Sequence, residues 1–375
     1  MKEVVMGKDE AKRIWRLDEV WKGKGDGARL KGVSLDVREG VTAVVGCSGA
    51  GKSTLLNLLV GFEQVDGGKV LGCGGDEKKV GFLGRLFGRR NKGGMVGWAP
   101  QGGGLWSGMT VRGHLEAVLP WSCYAFVPVG DGGREIVDLS GRDKGEVVGL
   151  WLKSFGLEAL ADRVVGRLSG GERARLSVVR ALGMCSGLDW GGMHREPGIV
   201  VLDEPLVSVG KGDARGYWEV IRRWRGVTGG NVVFSTHFPE LVIREADWIV
   251  CIEDGEVVWE GEVMELYERP VSEKLGAYLG ELNWFEAGEM GVGEEGGRGV
   301  RPEKLRVEVV EGEGGDELGW IVVSSERVGA VVETVVRLSG GEQKRLLHVG
   351  EVLEVGATVR VFVVDHCEMQ VKACI

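Results

Sequence analysis

The sequence predicts an α/β fold on a largely parallel sheet, followed by a small C-terminal β-barrel. Three observations predict it. An apolar run, Val41-Thr42-Ala43-Val44-Val45, leads through a glycine-rich turn into the apolar stretch Leu55-Leu56-Asn57-Leu58-Leu59-Val60, the succession of strand, loop and helix. A second apolar run, Ile199-Val200-Val201-Leu202, ends in two acids, Asp203 and Glu204, and reads as a parallel strand buried on both faces. From about Met264 the pattern changes, and beyond Gly299 it runs in short Val-rich segments between glycine-rich turns, as in a small barrel.

The first turn is a phosphate cradle. Gly46-Cys47-Ser48-Gly49-Ala50-Gly51-Lys52-Ser53-Thr54 has the form G-x-x-x-x-G-K-[ST]. Its glycines let backbone N–H groups turn inward, and the next helix adds its positive end. Lys52 then reaches the outer phosphates, and the Ser53 hydroxyl completes a Mg²⁺ shell. With 66 glycines in 375 residues, glycine motifs arise easily, yet the chain's own frequencies give roughly 0.03 accidental matches. The chain therefore reads as an α/β P-loop NTPase that binds a nucleoside triphosphate. The pairs Gly67-Gly68, Gly102-Gly103 and Gly132-Gly133 read only as solvated turns.

At the second strand, the carboxyl end faces the ligand crevice. Asp203 is placed to hold Mg²⁺ through water, and Glu204 to orient or deprotonate the attacking water. The plainer alternative is a strand that ends in a charged turn. Upstream, Leu168-Ser169-Gly170-Gly171-Glu172-Arg173 puts a serine and two glycines at a helix start, a second potential phosphate cradle.

With that segment the chain resembles the ATP-binding subunits of ABC transporters. Leu168 to Glu172 is similar to the family's signature motif, in its usual place before Asp203 and Glu204. Gln101 resembles the Q-loop glutamine, and His237, after Val232-Val233-Phe234-Ser235-Thr236, the switch histidine. Trp21 falls where the family places an aromatic that stacks on adenine, although 13 tryptophans make plain packing an alternative. The resemblance implies two cassettes sandwiching two ATP molecules head to tail. Ser169, Gly170 and Gly171 would complete a neighbour's site. Gln101 would sense the γ-phosphate beside the Mg²⁺ and signal to the membrane subunit, and His237 would hold phosphate and water in line.

The chain departs from that pattern at Gly210, where the family usually has an aspartate. Coupling between the two sites is what this departure touches. Cys47 is read as a tolerated small residue, with redox sensitivity as the alternative. A near copy of the signature, Leu338-Ser339-Gly340-Gly341-Glu342, follows no second phosphate loop. It reads as a hairpin turn between strands.

Length allows two domains. The expected division is a cassette over 1–265, with a helical subdomain at about 102–182, a connecting helix and linker over 266–299, and an OB-like domain over 300–375. Val300-Arg301-Pro302-Glu303 resembles the entry of the transport-associated (TOBE) domain of importers, and dimerisation is its expected role.

The net charge of −9 argues against a nucleic-acid partner, and the basic stretch Arg85–Lys92 reads as a loop. No segment approaches the ~18 apolar residues of a membrane span, and residues 1–10 lack the apolar core of a signal peptide. The seven cysteines contain no C-x-x-C pair, so neither disulfides nor zinc are indicated and a reducing cytoplasm fits. The resemblance thus implies a peripheral ATPase, with ATP and Mg²⁺, at the cytoplasmic face of the cell membrane. Its partners would be membrane permease subunits, a second ATPase subunit and an extracytoplasmic substrate-binding protein. The alternatives are a weakly hydrolysing partner in a heterodimer, or a soluble non-transport ABC ATPase.

Overall fold

The computed structural model describes residues 12–72, 95–119, 124–128, 134–138, 143–188, 197–286, 289, 297–310, 319–338 and 340–364. Residues 1–10, the basic stretch Arg85–Lys92, the pair Gly132-Gly133, Ser339 and most of 288–299 lie outside them. The chain separates into two compact units, Met1–Glu260 and Gly261–Ile375.

The first unit begins with β1 (Arg13–Lys22), β2 (Leu30–Arg38), β3 (Val41–Val45), α1 (Lys52–Leu59), β4 (Gly67–Gly72) and β5 (Val96–Ala99). An inserted section holds α2 (Val111–Val118), β6 (Tyr124–Pro128), β7 (Arg134–Asp138), α3 (Lys144–Ser154), α4 (Gly170–Met184) and β8 (Gly187–Leu188). Then come β9 (Ile199–Asp203), α5 (Lys211–Thr228), β10 (Asn231–Ser235), α6 (Pro239–Glu245), β11 (Trp248–Glu253) and β12 (Glu256–Glu262).

The central sheet has six strands in the order β12-β11-β3-β10-β9-β5. From β11 to β5 neighbouring strands pair parallel. Every residue of β3, β9 and β10 is buried, which is why these strands read as unbroken apolar runs. Val44, Leu55, Leu59, Val201, Val233 and Ile252 share one core cluster. That cluster anchors the carboxyl ends of β3, β9 and β10 side by side, where ligands gather in parallel α/β sheets. Beside it, β1 pairs antiparallel with β2 and β4 in a second sheet.

Three local devices fix the elements near the site. Asp254 and Gly255, both at positive φ (46° and 84°), form the two-residue turn between β11 and β12, the geometry that suits a tight hairpin. The Gly255 N–H donates to the Ala50 carbonyl at 3.0 Å, pinning the phosphate loop from behind. At α4, Ser169 and Glu172 form a reciprocal capping box, satisfying two orphan donors of the helix start.

The inserted section was expected to be helical, and it carries α2, α3 and α4. It also holds a three-stranded sheet, β7-β6-β8. Tyr124-Ala125-Phe126-Val127 and Glu135-Ile136-Val137 are β-prone and flank a glycine-rich stretch, a hairpin pattern that the helical expectation passed over.

The second unit opens with α7 (Val263–Glu268) and α8 (Glu273–Ala277), where one closing helix and a connector were expected. β13 (Asn283–Phe285) pairs with β14 (Arg298–Val300). A five-stranded sheet follows, from β15 (Leu305–Val309), β16 (Trp320–Val328), β17 (Val331–Arg337), β18 (Gln343–His348) and β19 (Thr358–Val363), in the order β15-β19-β16-β17-β18. Its end strands β15 and β18 come into contact, giving the OB-like, all-β character expected. Phe285, Trp320, Val336 and Leu346 sit in its core. The near copy of the signature motif lies between β17 and β18, with Leu338 and Glu342 closing the turn through an N–H to carbonyl bond of 2.8 Å. It is a hairpin, as expected, and β18 follows it from Gln343 to His348.

Arg301, 3% exposed, holds the start of this unit together. Its Nε donates to the Tyr267 carbonyl at 3.1 Å, Nη1 to those of Gly280 at 2.9 Å and Glu281 at 3.2 Å, and Nη2 to that of Gly276 at 3.0 Å. The guanidinium also stacks on the Tyr267 ring, 4.3 Å from its centre. Arg301→Met removes the guanidinium donors from the carbonyls of Tyr267, Gly280 and Glu281, while that of Gly276 keeps the Leu279 N–H at 3.0 Å, so it should destabilise the second unit by about 3 kcal/mol or more. In calorimetry of the whole chain, an early-melting transition with unchanged ATP affinity is the expected result; a wild-type profile would show that water replaces the guanidinium.

Candidate functional site

The phosphate loop takes its shape from its glycines. Gly46 has φ +153°, and a Cβ there would stand 2.2 Å from the Ile252 carbonyl oxygen. Gly51 has φ +110°, and a Cβ there would stand 2.6 Å from the Arg29 carbonyl oxygen. Both positions therefore exclude a side chain, one by crowding and the other by crowding and handedness. Gly51 is also the N-cap of α1, with no side-chain cap, so the loop ends on a helix start, the kind of terminus that suits an anion.

A cleft of about 490 Å³ opens over this loop. Gly46, Cys47, Ser48, Gly49, Gly51, Lys52, Ser53 and Thr54 line it, and Gln101, Glu204 and His237 close the other side. Ala50 is buried behind the loop. Lys52 Nζ lies across the loop, donating to the carbonyls of Gly46 at 2.8 Å and Cys47 at 3.0 Å. His237 Nδ1 donates to Glu204 Oε2 at 2.9 Å. Asp203 is 5% exposed and accepts from the Ser235 hydroxyl at 2.6 Å.

A second concavity of about 460 Å³ shares Gln101 and Glu204 with the first, and is lined further by Asp203 and by Gly170. Ser169, Gly170 and Gly171 are not among the residues lining the cleft over the phosphate loop. The structure thus brings one set of expected site residues together and sets the α4 start apart from it. Trp21 lines neither cavity. It is 42% exposed at the end of β1, with its ring over Gly32.

Sequence reasoning missed two residues. Arg29 lines the cleft, and its guanidinium pairs with Glu63 through Nη2 at 2.6 Å and Nη1 at 3.2 Å. Burial alone would raise the Glu63 pKa, but hydrogen bonds from Arg29 and Asn57 outweigh it and hold the carboxyl below its usual range. Ser235 is the other. Nothing in their local sequence marks them: strand register brings Ser235 to Asp203, and Arg29 is held by Glu63, 34 residues on. Gly210 caps α5 in an ordinary backbone conformation (φ −55°), and an added Cβ would meet nothing within 4 Å.

The residues fit a nucleotide with a divalent cation. Two positions a side chain would block, a lysine at the loop mouth and a helix start form a polyphosphate cradle. A hydroxyl (Ser53), an amide (Gln101) and a carboxylate (Asp203) are hard oxygen donors. They match the sparse protein ligation of Mg²⁺, which keeps waters and phosphate oxygens in its shell.

Comparison with known proteins gives a concordant picture. Residues 30–207 match the ABC transporter family, and residues 298–367 the TOBE domain. The sulfate/thiosulfate import ATP-binding protein CysA of Synechocystis sp. is 31% identical over 71% of this chain and 66% of its own length. The methionine import ATP-binding protein MetN of Caulobacter vibrioides is 30% identical over 74% of each chain. The match therefore spans about two thirds of the CysA protein's length. A dimeric bacterial ABC transporter cassette of known structure superposes with a TM-score of 0.50 at 21% identity, over 67% of this chain and 99% of its own; that likeness concerns the fold.

Proposed function

The chain belongs to the ABC transporter family as an ATP-hydrolysing import-type subunit, and we propose that it works as a head-to-tail dimer beside a separate membrane permease. The observation that carries this reading is the separation of the α4 start from the chain's own cleft. Ser169, Gly170 and Gly171 form the N-terminus of α4, and none of the three lines the cleft over the phosphate loop. In a second copy turned head to tail, they would cover the γ-phosphate held by the first copy's loop.

Within each cleft the roles follow from chemistry. The loop amides from Gly46 to Thr54 and Lys52 Nζ would hold the β- and γ-phosphates, with Trp21 or Arg29 bordering the nucleoside. Ser53, Gln101 and Asp203 would hold Mg²⁺, which neutralises charge on the phosphates. Glu204 would take the proton of the attacking water, and the His237 ring would keep the carboxylate and γ-phosphate aligned. Gln101 borders both cavities, a fit for a residue that reports nucleotide state outward.

In this reading, 1–265 is the cassette, with its helical subdomain at about 102–182, 266–299 the connector and 300–375 a dimerisation domain. Among the described residues no helix is long and apolar enough to cross a membrane. The chain would sit at the cytoplasmic face, with an extracytoplasmic substrate-binding protein completing the system. Two measurements test the proposal: phosphate release against chain concentration, and recovery of a multi-span membrane protein with the tagged chain. A rate per chain that rises as dimers form supports it. A constant rate from a monomer, with no membrane partner, would overturn it.

A further inference from the structure

Ser235 is fully buried (0% exposed) at the carboxyl end of β10, in parallel register with Asp203 of β9. Its hydroxyl makes two bonds at once. It donates to Asp203 Oδ1 at 2.6 Å and accepts the Glu204 N–H at 2.9 Å. Glu204 lies at φ +49°, a left-handed conformation that a residue with a Cβ keeps only where its surroundings impose it. The Glu204 side chain leaves that strained backbone to meet His237.

We propose that Ser235 is a positioning residue for hydrolysis, its hydroxyl tying the Asp203 carboxylate to the Glu204 backbone so that cation ligand and base keep one fixed separation. This rests on the roles given above to Asp203 and Glu204. A hydroxyl has one hydrogen and lone pairs to spare, so this single atom satisfies both neighbours, and no backbone group on β10 could replace it at that spot. Without it, a buried carboxylate oxygen and a half-buried N–H lose this partner, and the turn at Glu204 loses its tether. Neither of the two hydroxyl bonds goes to the phosphate loop.

The test compares Ser235→Cys, Ser235→Ala, Ser235→Thr and Glu204→Gln in the full chain. The thiol is near in size to the hydroxyl but a weak donor and acceptor, whereas threonine keeps the hydroxyl. For each we would measure kcat, KM and the ATP dissociation constant. Amide hydrogen exchange at Glu204 in the nucleotide-free protein supplies a readout independent of turnover. Expected for cysteine and alanine are a kcat lower by roughly 10- to 100-fold, unchanged KM and ATP affinity, and faster exchange at Glu204; threonine recovers most of both. Should alanine fail to fold, cysteine decides. Wild-type kcat and exchange in Ser235→Cys, or a folded threonine variant as slow as cysteine, would overturn the proposal. If Glu204→Gln still hydrolyses, the base assignment itself fails; a dead Glu204→Gln beside an unaffected Ser235→Cys sinks the tether alone.

Discussion

Glu204→Gln should stop ATP turnover while leaving ATP bound, with a loss on the order of 10²- to 10⁴-fold in kcat. The substitution keeps the side chain's shape and its acceptor toward His237 Nδ1, now 2.9 Å from Oε2, but removes the group that takes a proton. The backbone should hold as well, because the Glu204 N–H stays on Ser235 Oγ at 2.9 Å. Binding rests on the phosphate loop across the cleft, so the ATP dissociation constant should stay near the wild-type value. Gel filtration with ATP should show the dimer accumulating, since the step that releases it is blocked. Wild-type turnover would mean that another group activates the water, and His237, 55% exposed at its side chain, would be the first to examine.

Lys52→Ala should act on the opposite side of the same cleft, and on binding before chemistry. Nζ bridges the Gly46 and Cys47 carbonyls at 2.8 and 3.0 Å. The ammonium is therefore held at the loop mouth, and part of the ordering cost of phosphate binding is met in advance. Removing it should weaken ATP binding by about 2–5 kcal/mol, at least roughly 30-fold. It also takes a donor from the Gly46 carbonyl, while the Cys47 carbonyl keeps the Ala50 N–H at 3.1 Å, so the loop itself should loosen only in part. Isothermal titration with ATP and with AMP separates the effects: the loss should be large for ATP and small for AMP, which lacks the outer phosphates. Equal losses for both would assign the effect to loop collapse rather than to lost charge.

The parts of this protein that could be read from sequence are those whose cause is local. A phosphate loop is contiguous, so its spacing shows in the sequence even though the carbonyls that crowd Gly46 and Gly51, those of Ile252 and Arg29, lie outside it. Strands β3, β9 and β10 announce themselves because burial on both faces demands an unbroken apolar run. Gln101 and His237 were legible only through their order along a recognised pattern. Ser235 and Arg29 were not legible, since each owes its place to residues far along the chain: Ser235 meets Asp203 through the β9–β10 register, and Arg29 meets Glu63 across 34 residues. The strand pair β13 and β14 escaped notice for a similar reason. Asn283, buried in β13, is bonded to Val300 and Leu347, and neither partner is near it in sequence. Trp21 was drawn from a resemblance alone, and its ring lies outside both cavities.

The separation of the Ser169 helix start from the Lys52 loop has a genetic counterpart. If each complete site joins the loop of one copy to the helix start of the other, two differently broken chains are not equally broken once mixed. A copy lacking Lys52 still offers an intact Ser169, and a copy disabled at Ser169 still offers an intact loop. Paired together, they build one site carrying both defects and one carrying neither. Two alleles, each silent alone, would thus complement one another within a single cell, whereas two alleles that damage the same loop could not.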